Sequence, residues 1–273
     1  MDFELLEQEF LPDYTAAKNY TEKSNYIEAE RSMKAALKKI EAALSTEKGT
    51  LFSFNHILEV YYFRFFKNAG SQEISYAPFN IGAFYRFYGY ILIRLENYKD
   101  AITAYENALD WNPVDLDSIF QLVELYKKTK DLKHTREVTL EAYNYCCSRA
   151  TLAHFYRNLG FYYLESYQPE IATALYLYSN IFSPSESADR DLAYLEEALK
   201  RPTPQLSIQE IQAILKENAI PAGPNPDTVG ITFRTGQLEL ENEHLETARD
   251  CFMLVYDLTL DSEAKSYLDK LPS

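Results

Sequence analysis

Histidine is the side chain best suited to acid–base chemistry and metal binding near neutral pH. The chain has four of them, His56, His134, His154 and His244. None is paired with a second histidine and an intervening glutamate at the spacing that a zinc-protease helix requires. The sequence also lacks a glycine-rich phosphate loop and a Gly-x-Ser-x-Gly nucleophile turn. We therefore predict that the protein is not an enzyme and uses no metal or cofactor.

Three cysteines, Cys146, Cys147 and Cys251, are the other candidates for chemistry. Their number is odd and their spacing is not that of a metal site. Neighbouring residues on a helix point about 100° apart, so the adjacent pair neither bridges easily nor shares a zinc ion. The chain begins with acidic residues where a signal peptide needs a basic start, and no segment approaches the roughly 20 apolar residues of a membrane span. These features predict reduced, buried thiols in a cytoplasmic protein.

The charge balance limits the classes of partner. The chain has 27 Lys and Arg against 41 Asp and Glu, a formal net charge of −14. Such a polyanion repels the phosphates of nucleic acids and anionic membranes, and no basic cluster offsets that repulsion. The densest basic stretch, residues 31–39, alternates with apolar residues as the solvated face of a helix does. We expect no nucleic-acid or membrane partner, whereas a basic or neutral protein partner is allowed.

The backbone that must position any site is predicted to be helical. Only 8 of the 273 residues are glycine, whereas 23 are tyrosine and 16 phenylalanine, which favours packed helices over a turn-rich β-architecture. In residues 82–113, apolar residues recur at helical spacing on both sides of a polar hinge, and Pro113 ends the second helix. Gly89 is small where two helices must approach closely, and Tyr105 is large enough to fill the space beside it. The segment predicts a helical hairpin.

The positions of Gly89, Ala101, Tyr105, Ala108 and Pro113 resemble the pattern of the tetratricopeptide repeat. That repeat is a hairpin of about 34 residues with glycine at its eighth position, small residues at its twentieth and twenty-seventh, and proline near its end. The resemblance implies an all-α fold, in which antiparallel helix pairs stack into a right-handed superhelical solenoid. It also implies a function in binding other proteins.

The same register recurs along the chain. We predict clear repeats at about 10–43, 82–115, 153–186 and 229–262. Because neighbouring copies are separated by about two repeat lengths, we also predict degenerate repeats at about 51–81, 116–149 and 186–217, the first of them beginning with a long helix over 51–67. The expected architecture is one domain, 1–273, of about seven helix pairs.

Two features modify this stack. Residues 201–228 are rich in proline, which cannot continue a helix interior, and predict an interruption that could separate two sub-domains. Residues 262–271 have the pattern of a short amphipathic helix that would cap the open end of a solenoid.

The predicted binding surface is the concave side, which the first helix of each hairpin lines in such a solenoid. Arg86 and Arg157 lie at equivalent positions of two hairpins, each one helical turn before an aromatic residue, Tyr90 or Phe161. An arginine can hold a carboxylate through a forked hydrogen bond while the neighbouring ring packs against an apolar side chain. The predicted groove residues are Arg86, Tyr90, Ile93, Phe120, Gln121, Glu124, Lys127, His154, Arg157, Asn158 and Phe161.

Some tetratricopeptide proteins hold a C-terminal carboxylate with a clamp of lysine, asparagine and arginine residues, and this chain departs from that pattern. Arg86 could replace the first lysine and Gln121 one asparagine, but Tyr90 stands at the other asparagine position. His154 and Asn158 stand where lysine and arginine are expected. We therefore expect an acidic or carboxylate-bearing peptide in general and not a chaperone tail. In the opposing interpretation, both arginines only neutralise nearby acids.

The favoured function is a non-catalytic scaffold that binds a protein or peptide in its groove. Two alternatives remain open at the level of sequence. The degenerate repeats and exposed aromatic rings could form the face of a homo-oligomer, or the chain could be a peptide-sensing regulator. The first 70 residues offer no DNA-reading helix pair to support the second alternative.

Overall fold

The structure is a computed structural model that describes residues 3–44, 47, 50–70 and 72–271. These residues contain fourteen α-helices and two short strands and are 75% helical, so the predicted all-α class is confirmed. We predicted one domain, whereas the chain divides into two compact units, Met1–Lys130 and Asp131–Ser273. Unit 1 comprises α1 (Phe3–Glu22), α2 (Tyr26–Leu44), β1 (Leu51–Phe52), α3 (Ile57–Phe66), β2 (Ser75–Tyr76), α4 (Ile81–Arg94), α5 (Tyr98–Trp111) and α6 (Leu116–Thr129).

Unit 2 begins at Asp131. It comprises α7 (Leu132–Ala142), a 3-10 turn (Tyr143–Tyr145), α8 (Arg149–Glu165), α9 (Pro169–Phe182), α10 (Glu186–Leu199), α11 (Ile208–Glu217), α12 (Pro226–Glu241), α13 (Leu245–Thr259) and α14 (Ser262–Leu268). Helix α6 packs on α5, and α7 packs on α8. The two helices of the predicted repeat 116–149 therefore belong to different units.

Unit 1 is built from two antiparallel hairpins, α1–α2 and α4–α5, that stack directly because α2 packs on α4. Asparagines start both helices of the second hairpin: the Asn80 side chain accepts from the backbone N–H of Ala83, and that of Asn97 from Asp100. Fully buried side chains such as Phe10, from α1, fill the space between the hairpins.

The prediction of a degenerate helix pair over 51–81 is wrong. The segment holds one helix, α3, between β1 and β2, which pair in parallel with Leu51 opposite Ser75. The predicted helix over 51–67 begins only at Ile57. Ser71, within the predicted segment 51–81, lies outside the described residues. Because α2 and α4 are in contact, this segment is an insertion between two adjacent hairpins.

Unit 2 has the hairpin α8–α9 at its centre, with α10 and α11 packed against α9. The predicted proline-rich interruption, 201–228, contains α11, which begins with a reciprocal cap between Ser207 and Glu210. The predicted degenerate repeat 186–217 also covers this helix, because α10 and α11 lie within those bounds. Helix α13 packs on α12 and on α14, and α14 coincides with the predicted capping helix.

The close approach predicted at Gly89 is present in the structure, and a second hairpin has the same contact at Gly160. A Cβ atom added to Gly89 would lie 2.5 Å from Cε2 of Tyr105, and one added to Gly160 would lie 2.9 Å from Cε1 of Tyr176. Each glycine thus lets a tyrosine ring from the second helix of the hairpin lie against the backbone of the first. The same glycine–tyrosine contact therefore lies at the crossing of α4 with α5 and of α8 with α9.

Candidate functional site

The predicted groove residues fall in both units, seven from Arg86 to Lys127 in unit 1 and four from His154 to Phe161 in unit 2. In unit 1, Arg86 is held by an acid. Its Nη1 donates to Oδ2 of Asp115 over 2.6 Å, and the Asp115 side chain is only 4% exposed. The hydroxyl of Ser118 donates to the same carboxylate. Arg86 is therefore already paired with a buried acid in the free protein.

Asn55, from the insertion, joins this ion pair to a second buried acid. Its side-chain amide donates to Asp115 over 3.3 Å and to Glu59 over 3.0 Å, and its amide oxygen accepts from Arg86 over 3.3 Å. Asn112 donates to Glu59 over 2.8 Å. Because buried carboxylates need hydrogen-bond donors, this network fixes the insertion against the end of α5 and the start of α6. Sequence analysis missed Asn55, Glu59 and Asp115.

The other predicted residues of unit 1 differ in exposure. Tyr90 is exposed, and a hydrogen bond with Tyr26 raises its pKa. Phe120 was expected to face the groove, which is wrong, because it is only 6% exposed. Of the remainder, Ile93 is half-buried and Gln121 is exposed. Nζ of Lys127 forms an ion pair with Oε1 of Glu124 over 2.7 Å.

In unit 2, the equivalent arginine has a different environment. Nη1 of Arg157 donates to the backbone carbonyl of Ser183 over 3.2 Å, and among the described residues no carboxylate lies within ion-pair distance of its guanidinium. Burial lowers the pKa of Arg157. Phe161, one turn further along α8, is half-buried. His154 is half-buried too, but Asn158 is completely buried, so the expectation that Asn158 faces the groove is wrong.

A second arginine of α8 binds the same end of α9. Arg149 donates through Nε to the carbonyl of Phe182 over 2.9 Å and through Nη2 to that of Ile181 over 2.7 Å. The last carbonyl groups of a helix lack intrahelical partners and carry partial negative charge, so cations stabilise them. Arg149 and Arg157 therefore cap α9. Arg157 uses one of its five N–H donors in its hydrogen bond to the carbonyl of Ser183.

Two of the three cysteines, Cys146 and Cys251, are buried as predicted, whereas Cys147 is only half-buried. Burial raises the pKa of Cys146 well above its usual value and that of Cys251 to about 12, so both thiols are neutral at physiological pH. The described part of the chain holds no group of three or more His, Cys, Asp or Glu residues arranged for a metal ion. Nor does it hold a helix long and apolar enough to cross a membrane.

A family model, the tetratricopeptide repeat, matches residues 84–115, which span most of α4, all of α5 and the turn before α6. These residues form a tetratricopeptide repeat. The match falls on the hairpin that carries Arg86 and confirms the resemblance read from Gly89, Ala101 and Tyr105. The tetratricopeptide repeat is in general a protein-interaction fold, and proteins built from it are generally non-catalytic scaffolds.

Two solved structures are similar along nearly their whole length. PilF of Pseudomonas aeruginosa is 13% identical, with 97% of this chain and 98% of that chain covered and a TM-score of 0.48. A tetratricopeptide repeat protein from Parabacteroides merdae is 11% identical, with 96% and 98% covered and a TM-score of 0.40. No curated protein matches the sequence.

Proposed function

We propose that the chain is a non-catalytic protein- or peptide-binding module, and that the α8 surface around Arg157 holds a carboxylate of the bound segment. The observation that carries this proposal is the difference between the two arginines. Arg86 is neutralised by Asp115, whereas Arg157 has no carboxylate partner among the described residues. An arginine that lacks an acid in a chain of net charge −14 has a strong electrostatic preference for an external carboxylate.

The neighbouring ring supports the same function. Phe161 lies four residues after Arg157 on α8, so the two side chains emerge on the same helix face. A peptide could place its carboxylate on the guanidinium and an apolar side chain against the ring, which is the combination that gives both orientation and affinity. Burial lowers the pKa of Arg157. The same burial reduces the competition between water and a ligand for the guanidinium, which strengthens a charge-assisted hydrogen bond to the ligand.

The experiment uses the full chain and a bead-bound library of random octapeptides with free C-terminal carboxylates, together with the same library amidated. We expect the wild type to enrich free-acid or acidic peptides over their amidated forms. Arg157→Glu should weaken the selected peptides at least about tenfold, since a charge-assisted pair becomes a repulsive one. Arg190→Glu is the matched control, because Arg190 is an exposed arginine of the same unit, on α10.

Equal binding by wild type, Arg157→Glu and Arg190→Glu would show that Arg157 does not hold the ligand. A library that yields no peptide above background on the wild type would count against peptide binding itself. The mass of the free protein in solution, measured over a hundredfold range of concentration, separates a monomer with an open surface from the homo-oligomeric alternative.

A further inference from the structure

The proline-rich segment after α10 forms one wall of an apolar pocket. The pocket lies between α9, α10 and α11, and we call it the proline pocket. Its walls are Thr173, Leu195, Leu199, Pro204, Leu206 and Ile214. Its volume is about 200 Å³, which is smaller than the roughly 300–1,000 Å³ of typical small-molecule sites. A cavity of this size and lining suits one large apolar side chain.

The wall made by the loop is held in place before anything binds. The backbone N–H of Thr203 donates to Oε1 of Glu196 over 2.6 Å, and Nη2 of Arg201 donates to Oε1 of Glu170 over 2.7 Å. Pro202 and Pro204 restrict the backbone between and beside these two bonds. A preformed pocket binds more tightly than a flexible one, because the partner does not have to order the loop.

The rim of the proline pocket is acidic. The backbone N–H of Thr203 holds the pKa of Glu196 below its usual range, and the backbone N–H of Glu170 together with Arg201 does the same for Glu170. Both carboxylates are therefore ionised at neutral pH. Among the residues that line the pocket, Arg201 is the one cation. The excess negative charge favours a partner that is basic near its apolar anchor.

We propose that the proline pocket binds a leucine- to phenylalanine-sized side chain of a partner segment that carries lysine or arginine beside that side chain. The occupant follows from the volume, the apolar walls and the net negative rim. This inference deepens the proposed peptide-binding function by adding a second surface of unit 2. Arg157 does not line the pocket, so the two sites can be tested separately.

The test selects phage-displayed random dodecapeptides on the full-length protein. We expect enrichment of sequences with one large apolar residue next to Lys or Arg. A synthetic peptide of the enriched sequence is then titrated by fluorescence anisotropy. Leu199→Glu, which places a charge in the apolar wall, should raise Kd about tenfold or more. Leu245→Glu is the control, because Leu199 is 36% and Leu245 39% exposed, and Leu245 lies on α13 outside the pocket.

A second variant tests the charge of the rim without removing its hydrogen bond. Glu196→Gln keeps an amide oxygen that can accept from Thr203 but removes the negative charge. We expect it to weaken binding of the lysine-containing peptide about threefold and to leave unchanged a version with the basic residue replaced by serine. Circular dichroism spectra of all variants establish that each is folded.

Three outcomes would overturn the proposal that the proline pocket binds the peptide. One is the enrichment of sequences without an apolar–basic pair, and another is a Kd that Leu199→Glu leaves unchanged. The third is a loss of binding in Arg157→Glu that Leu199→Glu does not produce, which would place the peptide on α8. That third outcome rejects the proline pocket but supports the proposed function, so failure of one is distinguishable from failure of the other.

Discussion

Arg86 and Arg157 occupy equivalent positions in two helical hairpins, yet their surroundings differ. In unit 1, Arg86 lies 2.6 Å from the buried carboxylate of Asp115. In unit 2, Arg157 is bonded to the backbone carbonyl of Ser183. The same residue type in the same repeat register is a structural ion pair in one hairpin and a candidate ligand-binding cation in the other. Repeat position fixes the place of a side chain, but the group that it meets at the far end of the hairpin, Asp115 or the Ser183 carbonyl, decides its role.

The insertion explains part of this difference. Asn55 from the insertion hydrogen-bonds to both members of the Arg86–Asp115 pair, and Glu59 accepts in turn from Asn55. In the hairpin α8–α9, Arg157 instead meets the backbone carbonyl of Ser183, the C-cap residue of α9. A site that the insertion closes in unit 1 is thus bordered in unit 2 by the end of α9.

The largest expected effect comes from removing each arginine in turn. Arg86→Met leaves Asp115 buried without its cation, so we expect the free energy of unfolding of unit 1 to fall by ~3 kcal/mol. Arg157→Met leaves no carboxylate unpaired and removes one hydrogen bond, so unit 2 should lose ~1 kcal/mol at most. Urea denaturation measures both, with the fluorescence of the single tryptophan, Trp111, reporting on unit 1.

Lys265→Met is the control that tests whether a short ion-pair distance is enough to stabilise the protein when the pair is exposed. Lys265 lies 2.6 Å from Asp269, as close as Arg86 is to Asp115, but this pair is exposed. We expect its removal to leave the urea midpoint essentially unchanged, because water screens exposed pairs. If Arg86→Met and Arg157→Met shift the midpoint by the same amount, burial is not what separates the two arginines.

The second comparison concerns the glycines at which the two hairpins cross. Gly89→Ala places a methyl group 2.5 Å from the Tyr105 ring, and Gly160→Ala places one 2.9 Å from Tyr176. We expect the first to lower the free energy of unfolding by ~2 kcal/mol and the second by ~1 kcal/mol, since overpacking a close contact costs about 1–3 kcal/mol. Thermal and urea unfolding measure both changes.

Gly230→Ala shows what the same substitution does without a clash. Gly230 lies inside α12 with nothing within 4 Å of the added methyl group. Alanine is the better helix former, so we expect a gain of up to ~1 kcal/mol. The packing explanation is wrong if all three substitutions stabilise the protein, or if Gly160→Ala destabilises it more than Gly89→Ala.

These positions also show what sequence could predict. Gly89, Tyr105 and their counterparts in α8 and α9 lie 16 residues apart within a single hairpin, so a local pattern contains the whole contact. The helices of the clear repeats, and the match at 84–115, follow from that pattern. Most of the fold was predictable because each hairpin carries its own packing information.

The site was less predictable, because its decisive contacts join distant parts of the chain. Asn55 meets Asp115 across 60 residues, and nothing in the period of either segment indicates that contact. The interval between the first two clear repeats fits two repeats as well as it fits one repeat with an insertion. Only the contact of α2 with α4 selects the insertion. An Asn55–Glu59 pair next to a break in periodicity is the signal that could have suggested it.

The last comparison concerns alkaline pH, because all three cysteines lie in unit 2. Folding raises the pKa of Cys251 from its ordinary 9.0 to about 12 and that of Cys146 as well, because burial disfavours the thiolate. The stability that these neutral thiols contribute is fully present below pH 9 and is lost as the pH rises from there toward 12. In unit 1, burial raises the pKa of Tyr105 from 10.0 to about 12. The stability that the neutral Tyr105 hydroxyl contributes therefore begins to be lost one pH unit higher than that of the thiols.

We therefore expect unit 2 to weaken first, by ~1.4 kcal/mol per pH unit for each buried thiol. Thermal unfolding followed by circular dichroism, which reports on both units, should show a midpoint that falls from about pH 9. Unfolding followed by Trp111 fluorescence should change only above about pH 10. Replacing Cys146 and Cys251 together with alanine should move the first onset up to the second. If the two signals decline together in the wild type, or if the double variant still weakens from pH 9, the thiols do not distinguish the units.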